Sequence, residues 1–236
     1  MRDGLLVVNK PQGMTSHDVV QVVRRRIGLQ RVGHTGTLDP IAEGVLVILV
    51  GAATKYQQVL QTQRKVYEAL IQLGVQTDTG DAWGKVLRTA PVPAVERRQL
   101  EEMLRSFIGP ITQTPPAFSA VKVQGRPLYW WTRRGVLKVA QPRTVEILSL
   151  DLLQWNGSAL TCRIACSSGT YIRTLAEAIA ARLGTVGHVK ALTRCAVGLW
   201  ELARAVTVPW LQAASEEDVR AALRPVITAD ASASRA

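Results

Sequence analysis

The chain has 236 residues, 29 Lys plus Arg against 18 Asp plus Glu, a formal net charge of +11 and 47% hydrophobic residues. A chain this long buries roughly 70 to 75% of its unfolded surface in one large domain or two small ones, and its apolar fraction excludes a disordered basic tail. A folded cationic protein favours a polyanionic partner, nucleic acid or an anionic membrane face, because a basic surface attracts phosphates and releases their counterions.

Residues 1–9 lack the long apolar stretch of a signal peptide, and the longest apolar run, 45–50, is too short to span a bilayer. A cytoplasmic protein without a membrane span is expected. Residues 5–9 read as a short buried strand, broken at Pro11-Gln12-Gly13. Thr15, with Asp18 three residues on, predicts a capped helix that ends at Gly28. Arg24, Arg25 and Arg26 in its last turn suit the negative helix end, with a phosphate contact as the alternative. Residues 45–50 and 66–73 read as strands, and 76–84 as a polar loop.

The spacing of Leu100, Met103, Leu104, Phe107 and Ile108 predicts an amphipathic helix stopped by Gly109-Pro110, with a linker over 112–116 behind it. The stretch from Lys122 to Arg143 interleaves six basic residues with Tyr129, Trp130 and Trp131 and holds no acidic residue. Such a run fits a surface that touches phosphates and stacks bases; the alternative is a basic hairpin whose tryptophans pack on the core. Residues 145–152 and the alternating 160–166 read as strands. Ser168-Gly169-Thr170 then turns into a helix whose apolar face runs from Ile172 to Leu183 and which ends at Gly184. Arg173 falls off that face, in the first turn beside the preceding loop, where an exposed residue is the bland alternative to a functional one. A last helix capped by Ser215 with Asp218 ends before Pro225, and 229–236 reads as a frayed tail. Elements mixed without a βαβ rhythm or an internal repeat argue for an α+β fold with a largely antiparallel sheet.

Few residue groups offer chemistry. Cys162 and Cys166 would lie about 13 Å apart in an extended strand, beyond disulfide reach, so these and Cys195 read as reduced, mostly buried thiols. His17, His34 and His188 are scattered and no CxxC pair occurs, so zinc is not expected. Neither nucleotide-binding glycine pattern is present, nor a GxSxG elbow. The densest constellation is Gly33-His34-Thr35-Gly36-Thr37-Leu38-Asp39-Pro40. Its glycines allow a turn and close approach, and Pro40 biases Asp39 towards an extended backbone. Asp39 is then either a turn-former bonding its own backbone or a carboxylate presented from a loop.

That segment, Asn9-Lys10-Pro11-Gln12-Gly13-Met14-Thr15-Ser16 and Ser168-Gly169-Thr170-Tyr171-Ile172-Arg173 together resemble the TruB family of tRNA pseudouridine synthases. Lys65-Val66-Tyr67, Thr77-Asp78-Thr79-Gly80-Asp81, the run from Lys122 to Tyr129 and Leu192-Thr193-Arg194 follow in the family's order, so the resemblance covers nearly the whole chain. It implies a pseudouridine synthase fold over residues 1–228, with a central bent, mixed sheet flanked by helices and an RNA-contacting insertion around 118–145. It also implies isomerisation of uridine 55 in the tRNA T loop to pseudouridine, without cofactor or metal, by a monomer that needs no protein partner.

That reaction breaks the bond from uracil N1 to ribose C1′ and joins C5 to C1′. Glycosidases use two carboxylates; here the leaving base is also the incoming nucleophile, so one can suffice while the base stays trapped. The resemblance makes Asp39 that carboxylate, as nucleophile or as the base of an elimination. Arg173 matches the arginine that pairs with it, and Tyr67 the tyrosine that stacks on the flipped base and assists removal of the C5 proton. Tyr171 and Leu192 match pocket residues, His34 the histidine that fills the vacated space, and Lys10 a structural support of the site. Lys122, Arg126 and Tyr129 belong to the segment that closes over the T arm. Two departures stand out: Glu43 sits where small or hydroxyl residues are commoner, and the chain stops where many members continue into a C-terminal RNA-binding PUA domain. The alternative is a non-catalytic tRNA-binding or RNA-folding protein on the same scaffold, against which the intact Asp39, Tyr67 and Arg173 argue.

Overall fold

A computed structural model describes residues 3–226. By their contacts they divide into two compact units, one formed by the chain up to Lys65 and from Thr193 onward, the other by Val66–Leu192.

The first unit opens with strand β1 (Gly4–Lys10), which leads through Thr15 into helix α1 (Ser16–Ile27). The expected cap is formed in full: the Thr15 hydroxyl accepts from the Asp18 N–H, and the Asp18 carboxylate accepts from the Thr15 N–H. Gly28 closes the helix in the left-handed region, at φ 63°. Strand β2 (Val32–His34) pairs antiparallel with β3 (Glu43–Val50), which also runs antiparallel to β1 with Leu6 opposite Ile48 and Val8 opposite Leu46. Both faces of β1 and β3 are covered, which accounts for their unbroken apolar runs. Leu6, Val8, Leu46 and Ile48 pack with Val19, Val23 and Ile27 of α1, whereas Leu5, Val7, Val45, Val47 and Leu49 face a second cluster with Ala53 and Leu60. Leu60 sits on the short helix α2 (Gln57–Gln61).

The second unit begins with β4 (Lys65–Leu73), whose alternate residues Tyr67, Ala69, Ile71 and Leu73 are buried. A hairpin of β5 (Val75–Thr77) and β6 (Val86–Thr89) precedes helix α3 (Arg97–Arg105). The helix ends earlier than its apolar spacing predicts. The N–H groups of Phe107 and Ile108 bond three residues back, to Leu104 and Arg105, and Gly109 at φ 108° turns the chain out of the helix. Gly109-Pro110 therefore opens strand β7 (Gly109–Gln113), and the expected linker over 112–116 is strand as far as Gln113. The partner is β10 (Arg143–Trp155), preceded by β8 (Lys122–Val123), β9 (Arg126–Pro127) and helix α4 (Leu128–Thr132). A long strand with an open edge outcompetes local composition, which is how the 112–113 expectation failed. Strand β11 (Ala159–Cys166) runs antiparallel to β10, and helix α5 (Ile172–Arg182) follows. The order in this unit is β12-β4-β11-β10-β7.

Strand β12 (Gly187–Val197) has no counterpart among the elements read from the sequence. It starts in the second unit and ends in the first, where Thr193 and Arg194 lie parallel to Glu43 and Gly44 of β3. Gly44 is required at that crossing: a Cβ there would stand 2.3 Å from the Arg194 carbonyl oxygen. Strand β13 (Trp200–Glu201) folds back on β12, and β14 (Val206–Thr207) runs parallel to β1. Helices α6 (Val208–Ala213) and α7 (Glu216–Ala221) then bring Val208, Leu211 and Val219 onto the α1 cluster, the second with the expected Ser215 and Asp218 capping box. Arg220 adds a hydrogen bond of 2.8 Å to the Ile27 carbonyl at the end of α1. The result is α+β, with mixed but largely antiparallel strands flanked by helices. No helix among the described residues is long and apolar enough to cross a membrane. The expected tail, 229–236, lies outside the described residues.

Candidate active site

The first unit holds Lys10, His34 and Asp39, and it immobilises the loop between β2 and β3 by its backbone. Every carbonyl from Gly36 to Pro40 has a hydrogen-bond partner. The Gly36 and Thr37 carbonyls accept from Arg194 Nη2 and Nη1, each at 3.2 Å. The Leu38 carbonyl accepts from the Ser16 hydroxyl at 3.2 Å, while the Leu38 N–H donates back to Ser16 Oγ at 2.9 Å. The Asp39 carbonyl accepts from the Ala42 N–H and that of Pro40 from the Gly13 N–H. A half-buried carboxylate thus rides on a loop whose backbone has little freedom left.

Lys10 is fully buried and donates to the carbonyls of Pro11 and Met14 at 2.9 and 2.8 Å. These bonds fix the segment that meets Pro40 through Gly13. Burial, with the like charge of Arg194, brings the Lys10 amine down to about 8, against the opposing pull of Asp39 and Glu43. His34 Nδ1 accepts from the Gly36 N–H at 3.2 Å, so the ring proton sits on Nε2, and burial with nearby Arg194 lowers its affinity for a second proton. Glu43, the unexplained departure, faces Thr193 across the strand pair and accepts from its hydroxyl at 3.2 Å.

The second unit holds Tyr67, Tyr171, Arg173, Leu192 and the basic segment. Arg173 is only 4% exposed, which rules out the alternative of an exposed first-turn residue. Nη1 donates to the Thr79 carbonyl at 2.8 Å, Nη2 to that of Phe118 at 2.9 Å, and Nε stands 4.0 Å from Asp81 Oδ2. The loop of Thr77 to Asp81 that receives it is folded on itself: Asp81 Oδ1 accepts from the Thr79 hydroxyl and the Trp83 N–H. Asp81 and Thr79 are contributors that sequence reasoning quoted without a role. Alternating Thr, Asp and Gly is the available signal, because such side chains bond their own backbone.

Tyr171 stands at the N-cap of α5, where the buried Gln113 clasps its backbone. The Gln113 Oε1 accepts from the Tyr171 N–H at 2.9 Å and its Nε2 donates to the carbonyl at 3.3 Å. The Arg143 guanidinium lies 4.9 Å from the Tyr171 ring centroid. Tyr67 and Leu192 are each 6% exposed.

In the basic segment, Lys122, Arg126 and Tyr129 are exposed, whereas Leu128 and Ala140 are buried. The tryptophans are half-buried, so they do not form core. They meet edge to face with centroids 4.7 Å apart, and the cations cover them: Arg134 lies 3.7 Å and Arg126 5.4 Å from the Trp130 centroid, with Lys138 at 5.4 Å from Trp131. Stacked this way, guanidinium groups are held at the surface while keeping hydrogen-bonding edges for phosphate.

Residues 24–172 match a family described as TruB family pseudouridylate synthase (N terminal domain). A protein of Dechloromonas aromatica named tRNA pseudouridine synthase B is 46% identical over 224 residues, 95% of this chain and 75% of the relative. One of Opitutus terrae with the same name is 40% identical over 227 residues, 96% of this chain and 94% of the relative. Among solved structures, a chain of a Cbf5-Nop10-Gar1 complex aligns with a TM-score of 0.71 at 29% identity. That alignment covers 95% of this chain but 60% of the other, so the chain spans less than two thirds of that neighbour. An α+β scaffold carrying a braced loop aspartate, together with these matches, defines an isomerase of the pseudouridine synthase class. Within that class the chain belongs to the TruB family.

Proposed function

We propose that the chain isomerises uridine to pseudouridine at position 55, in the T loop of tRNA, acting as a cytoplasmic monomer without a protein partner. The observation that carries this reading is the Asp39 loop, in which all five carbonyls from Gly36 to Pro40 are engaged, so that the carboxylate is presented at little entropic cost. The N1–C1′ bond breaks, the base turns, C5 joins C1′, the C5 proton leaves and N1 takes up a proton. Asp39 supplies the carboxylate, either attacking C1′ or removing the 2′-proton. Tyr67 offers a ring to stack on the extruded uracil and a hydroxyl for the C5 proton, and Tyr171 and Leu192 enclose the base. Arg173 supports turnover, His34 occupies the space the base leaves, and Lys122, Arg126 and Tyr129 contact the T-arm backbone.

An unmodified tRNA transcript incubated with the protein, without ATP or added metal, tests this by carbodiimide-dependent reverse-transcription stops. A stop at position 55 is expected. Binding with no stop on several tRNAs would favour the non-catalytic RNA-binding reading instead. Substrate deuterated at ribose C2′ separates the two roles of Asp39: a primary isotope effect marks the elimination base, and its absence the nucleophile.

A further inference from the structure

Arg194 is one of the largest buried side chains, 2% exposed, and its three hydrogen-bond partners are all backbone carbonyls: Val45 at 2.7 Å through Nε, and Thr37 and Gly36 at 3.2 Å. A buried guanidinium without a carboxylate among its hydrogen-bond acceptors is costly, and that cost is tolerated where geometry depends on it. The acceptors explain the geometry. Val45 belongs to β3, a rigid strand, and Gly36 and Thr37 to the loop that carries Asp39, so one planar fork fixes the loop against the strand. Gly44 exists in a form that admits this: its φ of 107° and missing Cβ let the Arg194 backbone approach β3.

We propose that Arg194 is a positioning residue for the Asp39 carboxylate, acting through the Gly36 and Thr37 carbonyls without touching the substrate. The inference rests on the reading of Asp39 as the reacting carboxylate. Lysine cannot replace the fork. An ammonium on a flexible stem keeps the charge but cannot span three carbonyls in one plane, so it preserves burial and polarity while releasing part of the loop. A displacement of about 1 Å at the carboxylate is expected to cost on the order of a hundredfold in rate.

The test compares wild type with Arg194→Lys and Arg194→Met. It reads single-turnover pseudouridine formation at saturating protein, tRNA affinity, thermal melting, and hydrogen exchange of the Leu38 and Ala42 amides against those of β1. For Arg194→Lys the expected result is a rate down 10- to 100-fold, affinity within threefold, a β1 unchanged in exchange, and faster exchange at Leu38 and Ala42. Arg194→Met, which removes the donors to all three carbonyls, is expected to lower melting as well. Unchanged exchange at Leu38 and Ala42 in Arg194→Lys overturns the proposal, as does a rate that falls only in step with affinity or global melting. An Asp39→Asn variant as active as wild type would instead sink the reading of Asp39, and the exchange comparison would still decide whether Arg194 fixes the loop.

Discussion

At the scale of single residues, buried polar groups set the site's pH response. The His34 imidazole is disfavoured as a cation by burial and by Arg194. Below its ordinary value of 6.5 the unfolded chain takes up a proton that the folded chain still refuses, so stability falls as the pH drops through that window. An NMR titration is expected to place the His34 midpoint below 6.5, and wild type should lose stability relative to His34→Asn between pH 7 and 5. A midpoint above 6.5 would mean the ring faces a carboxylate. Lys10 obeys the same linkage at the other end of the scale. Its folded value is about 8 against an ordinary 10.5, so between these the unfolded chain holds the extra proton and this group's contribution to stability rises with pH. The thiols behave as the sequence implies: Cys162 and Cys166 are buried and unbonded to each other, and burial with the charge of Asp151 pushes the Cys162 thiol up to about 12.

At the scale of elements, local signals and long-range pairings divide what the sequence can reveal. Helix α1 was legible because its cap, apolar stripe and terminal glycine lie within fourteen consecutive positions, 15–28. Thr15→Ala removes an N-cap and is expected to cost about 1 kcal/mol, a few degrees of melting temperature, with Asp18→Asn nearer neutral. No change would mean that the Asp18 carboxylate alone holds the first turn. Strand β12 escaped because its case rests on partners far away in sequence, Thr193 pairing with Glu43, and its own pattern alternates poorly. The site divides in the same way. Asp39 stood out through the glycines and proline around it. Arg194 did not, although it sits in a quoted motif, because three backbone carbonyls have no signature in the sequence. Gln113 was likewise hidden, since what it holds is the backbone of Tyr171, and Asp81 was quoted without a role because what it braces, the Thr79 hydroxyl and the Trp83 N–H, lies in its own loop.

At the scale of the whole molecule, the charge of +11 calls for an electrostatic partner, and the segment from Lys122 to Arg143 concentrates part of it beside half-buried tryptophan rings. The affinity for tRNA is expected to fall steeply with salt, and Lys122→Ala to reduce the slope of log K against log salt by about 1. Arg126 keeps its full charge while stacked on Trp130, so its replacement should reduce the slope by a comparable amount. A flat salt response would remove the basic segment from the interface. The central claim is that the fully engaged loop presents Asp39 for chemistry and not for binding. Single-turnover rate and tRNA affinity of Asp39→Asn, measured side by side with wild type, test it most directly. Loss of detectable pseudouridine with affinity within a few fold is the expected result; retained turnover, or lost affinity with turnover intact at saturation, would contradict it.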